Sequence, residues 1–192
     1  VKVSKMLTGD HIAYIKGYPD GGVHPNANIT RAEVAAIFYR LLTDDARKQY
    51  AADSSRFADA NSSWAAKEIA TLTNAGILKG YNDGSFKPNA SISRAEFATV
   101  ASRFDKLSGG SKTFTDVPST HWAYAAITSA AEKGWVNGYS DGSFRPNNSI
   151  NRAEVVKITN AVLGRSCDKN FVAVNLEKLH DYNDINASFW AY

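Results

Sequence analysis

The chain has 192 residues, with 22 Lys and Arg against 19 Asp and Glu, a formal charge of +3 and a pI near 8.9. That mildly basic balance, with no Lys/Arg run, gives nucleic-acid binding little support, and no apolar stretch is long enough to span a membrane. The lone Cys167 excludes an internal disulfide or a cysteine-based metal site, while 44% hydrophobic residues suffice for a packed core.

Residues 1–16 read as a short extended piece with apolar positions at Ile12 and Tyr14. No signal peptide is visible, and a chain that begins at Val1 reads as a piece of something longer. From Gly17-Tyr18 the chain passes two turn pairs, Asp20-Gly21 and Pro25-Asn26, and reaches Ile29-Thr30-Arg31-Ala32-Glu33. Thr30 and Glu33 have the spacing of a capping box. Val34, Ile37, Phe38 and Leu41 then predict a helix over 31–42. A polar connector, roughly 43–56, follows.

Next comes Phe57-x-Asp59 leading to Trp64. Ala65, Ile69, Leu72 and Gly76 predict a second helix, closed by a glycine with apolar residues after it. The turn-rich block then returns as Gly80-Tyr81, Asp83-Gly84, Pro88-Asn89 and Ile92-Ser93-Arg94-Ala95-Glu96. Phe97, Val100, Ala101 and Phe104 continue it as a helix. The cycle repeats once more through Phe114-x-Asp116, Trp122, Ala123, Ile127, Ala130 and Gly134. It ends in Gly138-Tyr139, Asp141-Gly142, Pro146-Asn147, Ile150-Asn151-Arg152-Ala153-Glu154 and a helix on Val155, Ile158, Thr159 and Val162. The copies are offset by 63 and 58 residues, which makes internal repetition the organising fact.

Repeat one lacks the Phe-x-Asp…Trp half. Tyr182-x-Asp184…Trp190-Ala191-Tyr192 carries the matching pattern at the far end. The expected organisation is therefore repeat one over 1–50, repeat two over 51–110, repeat three over 111–170, and a segment 171–192 that returns to complete repeat one. All four parts form one compact unit. A short helix is expected near Leu176–Leu179.

Arg31, Arg94 and Arg152 fall at first helical positions, where a cation opposes the helix dipole. Two readings stand. Each guanidinium pins a loop through a carboxylate or carbonyl, or each forms an anion site beside free helix amides. Trp64, Trp122 and Trp190 stand where a core anchor at a helix start is one reading and a ligand-contacting face the other. Tyr18, Tyr81 and Tyr139 read as loop packing. Asp20, Asp83 and Asp141 read as turn formers, with direct binding or calcium the minor alternative. Thr30, Glu33, Ser93, Glu96, Asn151 and Glu154 read as helix caps. His121 has no counterpart in the other copies and carries little functional weight.

The combined pattern Gly-Tyr-x-Asp-Gly-x-Phe-x-Pro-Asn…Ile-Thr-Arg-Ala-Glu, preceded by Phe-x-Asp…Trp-Ala, resembles the S-layer homology module in three tandem copies. Ser93 and Asn151 replace the threonine in two copies, and Val23 stands where the others have Phe86 and Phe144. The resemblance implies a mainly α fold, a pseudo-threefold three-pronged spindle with grooves between modules. It implies an extracellular location in a cell wall or S-layer. It also implies non-covalent anchoring to an anionic secondary cell-wall polysaccharide, often one bearing pyruvate ketals. Arg31, Arg94, Arg152, Trp64, Trp122 and Trp190 would then contact ligand. Alanine at the three arginines is expected to spare the helices and abolish wall binding.

Several weak sites on one rigid body would gain avidity on a repeating polymer, and the binding would be salt-sensitive. No cofactor or metal, no nucleic acid and no membrane insertion is expected, and an isolated piece would be a monomeric pseudo-trimer. Catalysis has no candidate. A glycosidase needs two carboxylates about one bond, and the repeated glutamates are spent on caps. The remaining alternative is a self-association module that builds a surface lattice without direct glycan binding.

Overall fold

A computed structural model describes residues 4–107, 109–165 and 182–185. It is mainly helical, with α1 (Arg31–Leu41), α2 (Asp44–Gln49), α3 (Ala58–Asn61), α4 (Ala66–Asn74), α5 (Arg94–Ser102), α6 (Tyr124–Glu132) and α7 (Arg152–Val162). Among the described residues the extended segments meet only as isolated antiparallel bridges, and no sheet forms. The expected helix near Leu176–Leu179, Cys167 and Trp190 lie outside the described residues.

The three long capped helices begin as the sequence predicts. Thr30, Ser93 and Asn151 each accept a bond from the backbone amide three residues on, and Glu33, Glu96 and Glu154 each bond back to the cap amide. Asn completes the box as well as Ser or Thr does, because it too presents a short side-chain oxygen. Gly76 and Gly134 close α4 and α6 at φ of 74° and 72°, a region that other residues enter at a steric cost. The Ile77 and Trp135 amides then reach back to Leu72 and Ala130, as a Schellman close requires.

Two helices were not expected. α2 lies inside the segment read as a polar connector, where Thr43 caps the Ala46 amide, Asp44 and Asp45 fill the first turn, and Arg47 and Lys48 the last. Its charges suit the helix dipole, but a six-residue polar helix has no apolar period to reveal it. α3 is a single turn following Phe57.

α4 packs on α1, and α6 packs on α5. The helix that follows each tryptophan thus covers the capped helix of the preceding repeat. Phe38 stacks against Phe104 at 4.8 Å and meets Phe97 at 5.9 Å, which ties repeats one and two through one aromatic core.

The repeats are joined at the start of each capped helix by a closed cycle of backbone bonds. The Ile92 amide donates to Ile29, Ile150 to Ile92, and Ile29 to Ile150, at 3.0, 3.1 and 3.2 Å. All three isoleucines are buried.

The loop before each cap is held from outside as well. Asp59 accepts from the amides of Phe86 and Lys87, and Asp116 from those of Phe144 and Arg145. In repeat one Asp184 does the same for Val23 and His24, at 2.8 and 2.6 Å. A Cβ on Gly80 would lie 2.3 Å from the Phe57 ring, and one on Gly17 would lie 2.5 Å from the Tyr182 ring. Residues 182–184 thus make, on the loop of repeat one, the contacts that Phe57 and Asp59 make on repeat two.

Candidate functional site

The arginine at each helix start reaches into the next repeat. Arg31 donates from Nε to the Phe86 carbonyl (2.7 Å), from Nη1 to Glu96 (3.1 Å) and from Nη2 to the Lys79 carbonyl (2.8 Å). Arg94 does the same with Phe144, Glu154 and Asn137. Arg152 closes the cycle on Val23, Glu33 and Lys16. The three are only 6%, 7% and 3% exposed. Arg31 and Arg94 also lie over paired rings, Tyr81 with Phe86 and Tyr139 with Phe144, at 4.5–5.0 Å. Among the described residues Arg152 lies over Tyr18 alone, at 4.8 Å, because Val23 replaces the phenylalanine. The loop-pinning contacts are therefore present in all three copies.

The free amides expected beside these arginines are not free. The Arg31 and Ala32 amides donate to Ala90 and Pro88, those of Arg94 and Ala95 to Asn148 and Pro146, and those of Arg152 and Ala153 to Ala27 and Pro25. A helix start whose first amides are satisfied by a neighbouring loop offers no anion site of its own.

The same arginines nevertheless line open clefts between helices. One cleft, about 240 Å³, has Tyr18, Glu33, Arg40, Trp64 and Arg152 on its walls. A second, about 530 Å³, has the equivalent Tyr81, Glu96, Arg103 and Trp122 with Arg31. The third, about 290 Å³, has Tyr139, Glu154, Lys157 and Arg94. Trp64 and Trp122 are 63% and 64% exposed, so their reading as core anchors does not hold. Each stands at the entry to its helix, and the buried Ala65 or Ala123 beside it packs inward instead.

The tyrosines take more part than loop packing required. The Tyr18 and Tyr81 hydroxyls donate to Glu33 and Glu96 at 2.7 Å. Desolvation, and then the bond to the glutamate, raises both phenol pKa values. Burial alone would raise the Glu33 carboxyl. Bonds from the Thr30 amide, the Tyr18 and Thr30 hydroxyls, and the Arg152 charge outweigh that and hold it below its ordinary range.

Asp20, Asp83 and Asp141 form turns, as their Asp-Gly pairs predicted. Each accepts from the amide two residues on, Gly22, Ser85 or Ser143. Among the described residues no group of three or more His, Cys, Asp or Glu side chains is arranged to hold a metal. His121 turns its Nδ1 to the Ala123 amide, a role that Ser63 fills in the preceding copy.

One recurring residue escaped notice. His24, Lys87 and Arg145 each precede the proline and sit at φ of 50–56°, uncommon for any residue but glycine. Each is held there twice. Its amide bonds to Asp184, Asp59 or Asp116, and its side chain bonds to Asp20, Asp83 or Asp141 at 2.7–3.0 Å. An acid followed four residues later by a base was the available signal.

These carboxylates tie stability to pH. The Val23 amide holds the Asp184 carboxyl low, and bonds from Ser143 hold Asp141 at about 2. For Asp59, the Phe86 and Lys87 amides outweigh a desolvation that would raise it. A depressed carboxylate contributes stability above its unfolded pKa and loses it as pH falls through the folded value. Thermal melting followed by circular dichroism should thus be nearly flat from pH 7 to 5. It should fall between roughly pH 4 and 2, the span from ordinary to depressed carboxylates, by an amount that solvent screening of these exposed groups keeps modest. An unchanged midpoint at pH 2 would contradict these contacts.

Three capped helices bonded in a cycle, each followed by a tyrosine-arginine cleft, define a tandem-repeat module. The model of the S-layer homology domain matches residues 13–35, 56–98 and 113–156, and the chain belongs to that family. It is 42% identical to cell surface glycoprotein 1 of Acetivibrio thermocellus, over 99% of this chain and 8% of that protein. It is 40% identical to the cellulosome-anchoring protein of the same organism, over 96% of this chain and 41% of that protein. It is 33% identical to an amylopullulanase of Thermoanaerobacterium thermosulfurigenes, over 85% of this chain and 9% of that protein. The chain thus spans less than half the length of each of these relatives. Its family places it at the bacterial cell surface, in the wall or S-layer. Among the described residues no helix is long and apolar enough to cross a membrane.

Proposed function

We propose that the chain is a cell-wall anchoring module that grips an anionic secondary cell-wall polysaccharide, one bearing pyruvate ketals, in the clefts between its repeats. The observation that carries this reading is the pair of exposed tryptophans, each on the wall of a cleft that also holds two arginines and a tyrosine. An indole face suits the apolar side of a sugar ring, and a guanidinium forks onto a ketal carboxylate. The same segment in a surface glycoprotein, an anchoring protein and an amylopullulanase supports attachment, not catalysis, as what they share.

The division into three repeats completed by segment 171–192 belongs to this proposal, as does the pseudo-threefold spindle. The cyclic bonds among Ile29, Ile92 and Ile150 and the clamp of Asp184 on the first loop support both.

The test is sedimentation with wall sacculi before and after chemical removal of the secondary polymer. The protein is expected to pellet with intact sacculi, to stay soluble with stripped ones, and to release as salt rises. Equal pelleting with stripped sacculi would end the polysaccharide reading. Light scattering without polymer separates the lattice alternative, since concentration-dependent oligomers would favour assembly.

A further inference from the structure

The three clefts are built to one plan but do not carry the same charge. Nine residues after each helix-start arginine stands Arg40 in α1, Arg103 in the turn closing α5, and Ala161 in α7. Arg40 and Arg103 line the clefts of Trp64 and Trp122, while Ala161 lines the third.

The two kinds of arginine differ in what they have left to offer. Arg31, Arg94 and Arg152 are buried, and each donates to two carbonyls and a carboxylate. Arg40 and Arg103 are half-buried, and among the described residues each is fixed by one side-chain bond, from Nη1 to the Tyr14 or the Ile77 carbonyl at 2.8 and 2.7 Å. Among the described residues no carboxylate lies within ion-pair distance of either. The single glutamate of each cleft is already taken by the deep arginine. Arg103 feels burial first and then the like charge of Arg31, both of which lower its pKa, and the largest of the three clefts holds two guanidinium groups against one glutamate, which is paired with Arg31. Glu68 lies within electrostatic reach of Arg40, which softens the charge of that cleft.

Resting on the polysaccharide reading above, we infer that Arg40 and Arg103, not the three helix-start arginines, seat the carboxylate of the bound saccharide. The cleft of Ala161 is then the weak one of the three. A guanidinium held by a single carbonyl keeps donors for a second acceptor, and an anion entering beside it restores the missing counter-charge.

The probe is a methyl hexopyranoside bearing a 4,6-linked pyruvate ketal, titrated calorimetrically into the intact chain, with the ketal-free glycoside as control. Two sites per chain are expected, the Arg103 cleft the tighter. Arg103→Gln keeps a donor for the Ile77 carbonyl, so the melting temperature should hold while that site weakens about tenfold or more, the loss of one charged hydrogen bond. Arg103→Lys, which keeps the charge, should recover part of it. Ala161→Arg should add a third site.

Three equal sites in the unaltered chain, or an R40Q/R103Q variant that binds the ketal as before, would overturn the assignment and leave anchoring intact. If neither glycoside binds while the protein still pellets with sacculi, recognition of the ketal carboxylate itself falls. If the protein does not pellet either, the anchoring proposal falls with it.

Discussion

Alanine at Arg31, Arg94 and Arg152 together is expected to unfold the protein, and circular dichroism should lose its helical signal at ambient temperature. This reverses the expectation drawn from sequence, that the helices would survive and binding alone be lost. The reason is burial. Each guanidinium satisfies two loop carbonyls and a glutamate in the next repeat. Truncation would strand those acceptors under a protein surface. Removing one partner of such a pair costs about 3 kcal/mol, the low end of the range because the glutamates keep some solvent contact. Three such losses approach the ~5–15 kcal/mol that holds a domain together. They also fall at each of the three joints between repeats, so no intact joint remains. A triple variant that melts within a few degrees of the parent would show that these contacts contribute little.

The second large effect is expected on binding and not on folding. Trp64→Ala with Trp122→Ala should leave the melting temperature within about 4 °C, since two exposed side chains away from special contacts together contribute within about 1 kcal/mol. Wall retention in the sacculus assay should nonetheless collapse. An aromatic hot spot is worth about 2 kcal/mol, roughly thirtyfold per cleft. On a repeating polymer the losses multiply, because each cleft raises the effective concentration seen by the next. Retention equal to that of the parent would remove the tryptophans from the site and leave the clefts without their apolar face.

Much of the local structure is legible in the sequence. Thr30-x-x-Glu33 and its two copies are complete instructions, because every atom a capping box needs lies within four residues. Gly76 and Gly134 ended their helices for the same reason: the C-cap bonds are local. What could not be read was the destination of groups that leave the repeat. The amides of Arg31 and Ala32 look unsatisfied in sequence and are satisfied by Ala90 and Pro88, some sixty residues away. Their arginine looked misplaced against the helix dipole for the same reason, since Glu96 arrives from the next copy. Trp64 could not be assigned to core or surface because hydrophobicity allows both. Burial of Ala65 and Ile69, with α4 packed on α1, leaves the indole outward. α2 stayed hidden because its helix rests on a cap and on charge placement, with no apolar stripe to mark it.

The cyclic hand-over at the helix starts has a consequence for how such proteins can grow. A solitary repeat would carry an arginine, a glutamate and two amides all addressed to a neighbour it does not have. A fourth copy inserted in the ring would find every address already occupied. Inheritance should therefore add or delete these sequences as whole triplets.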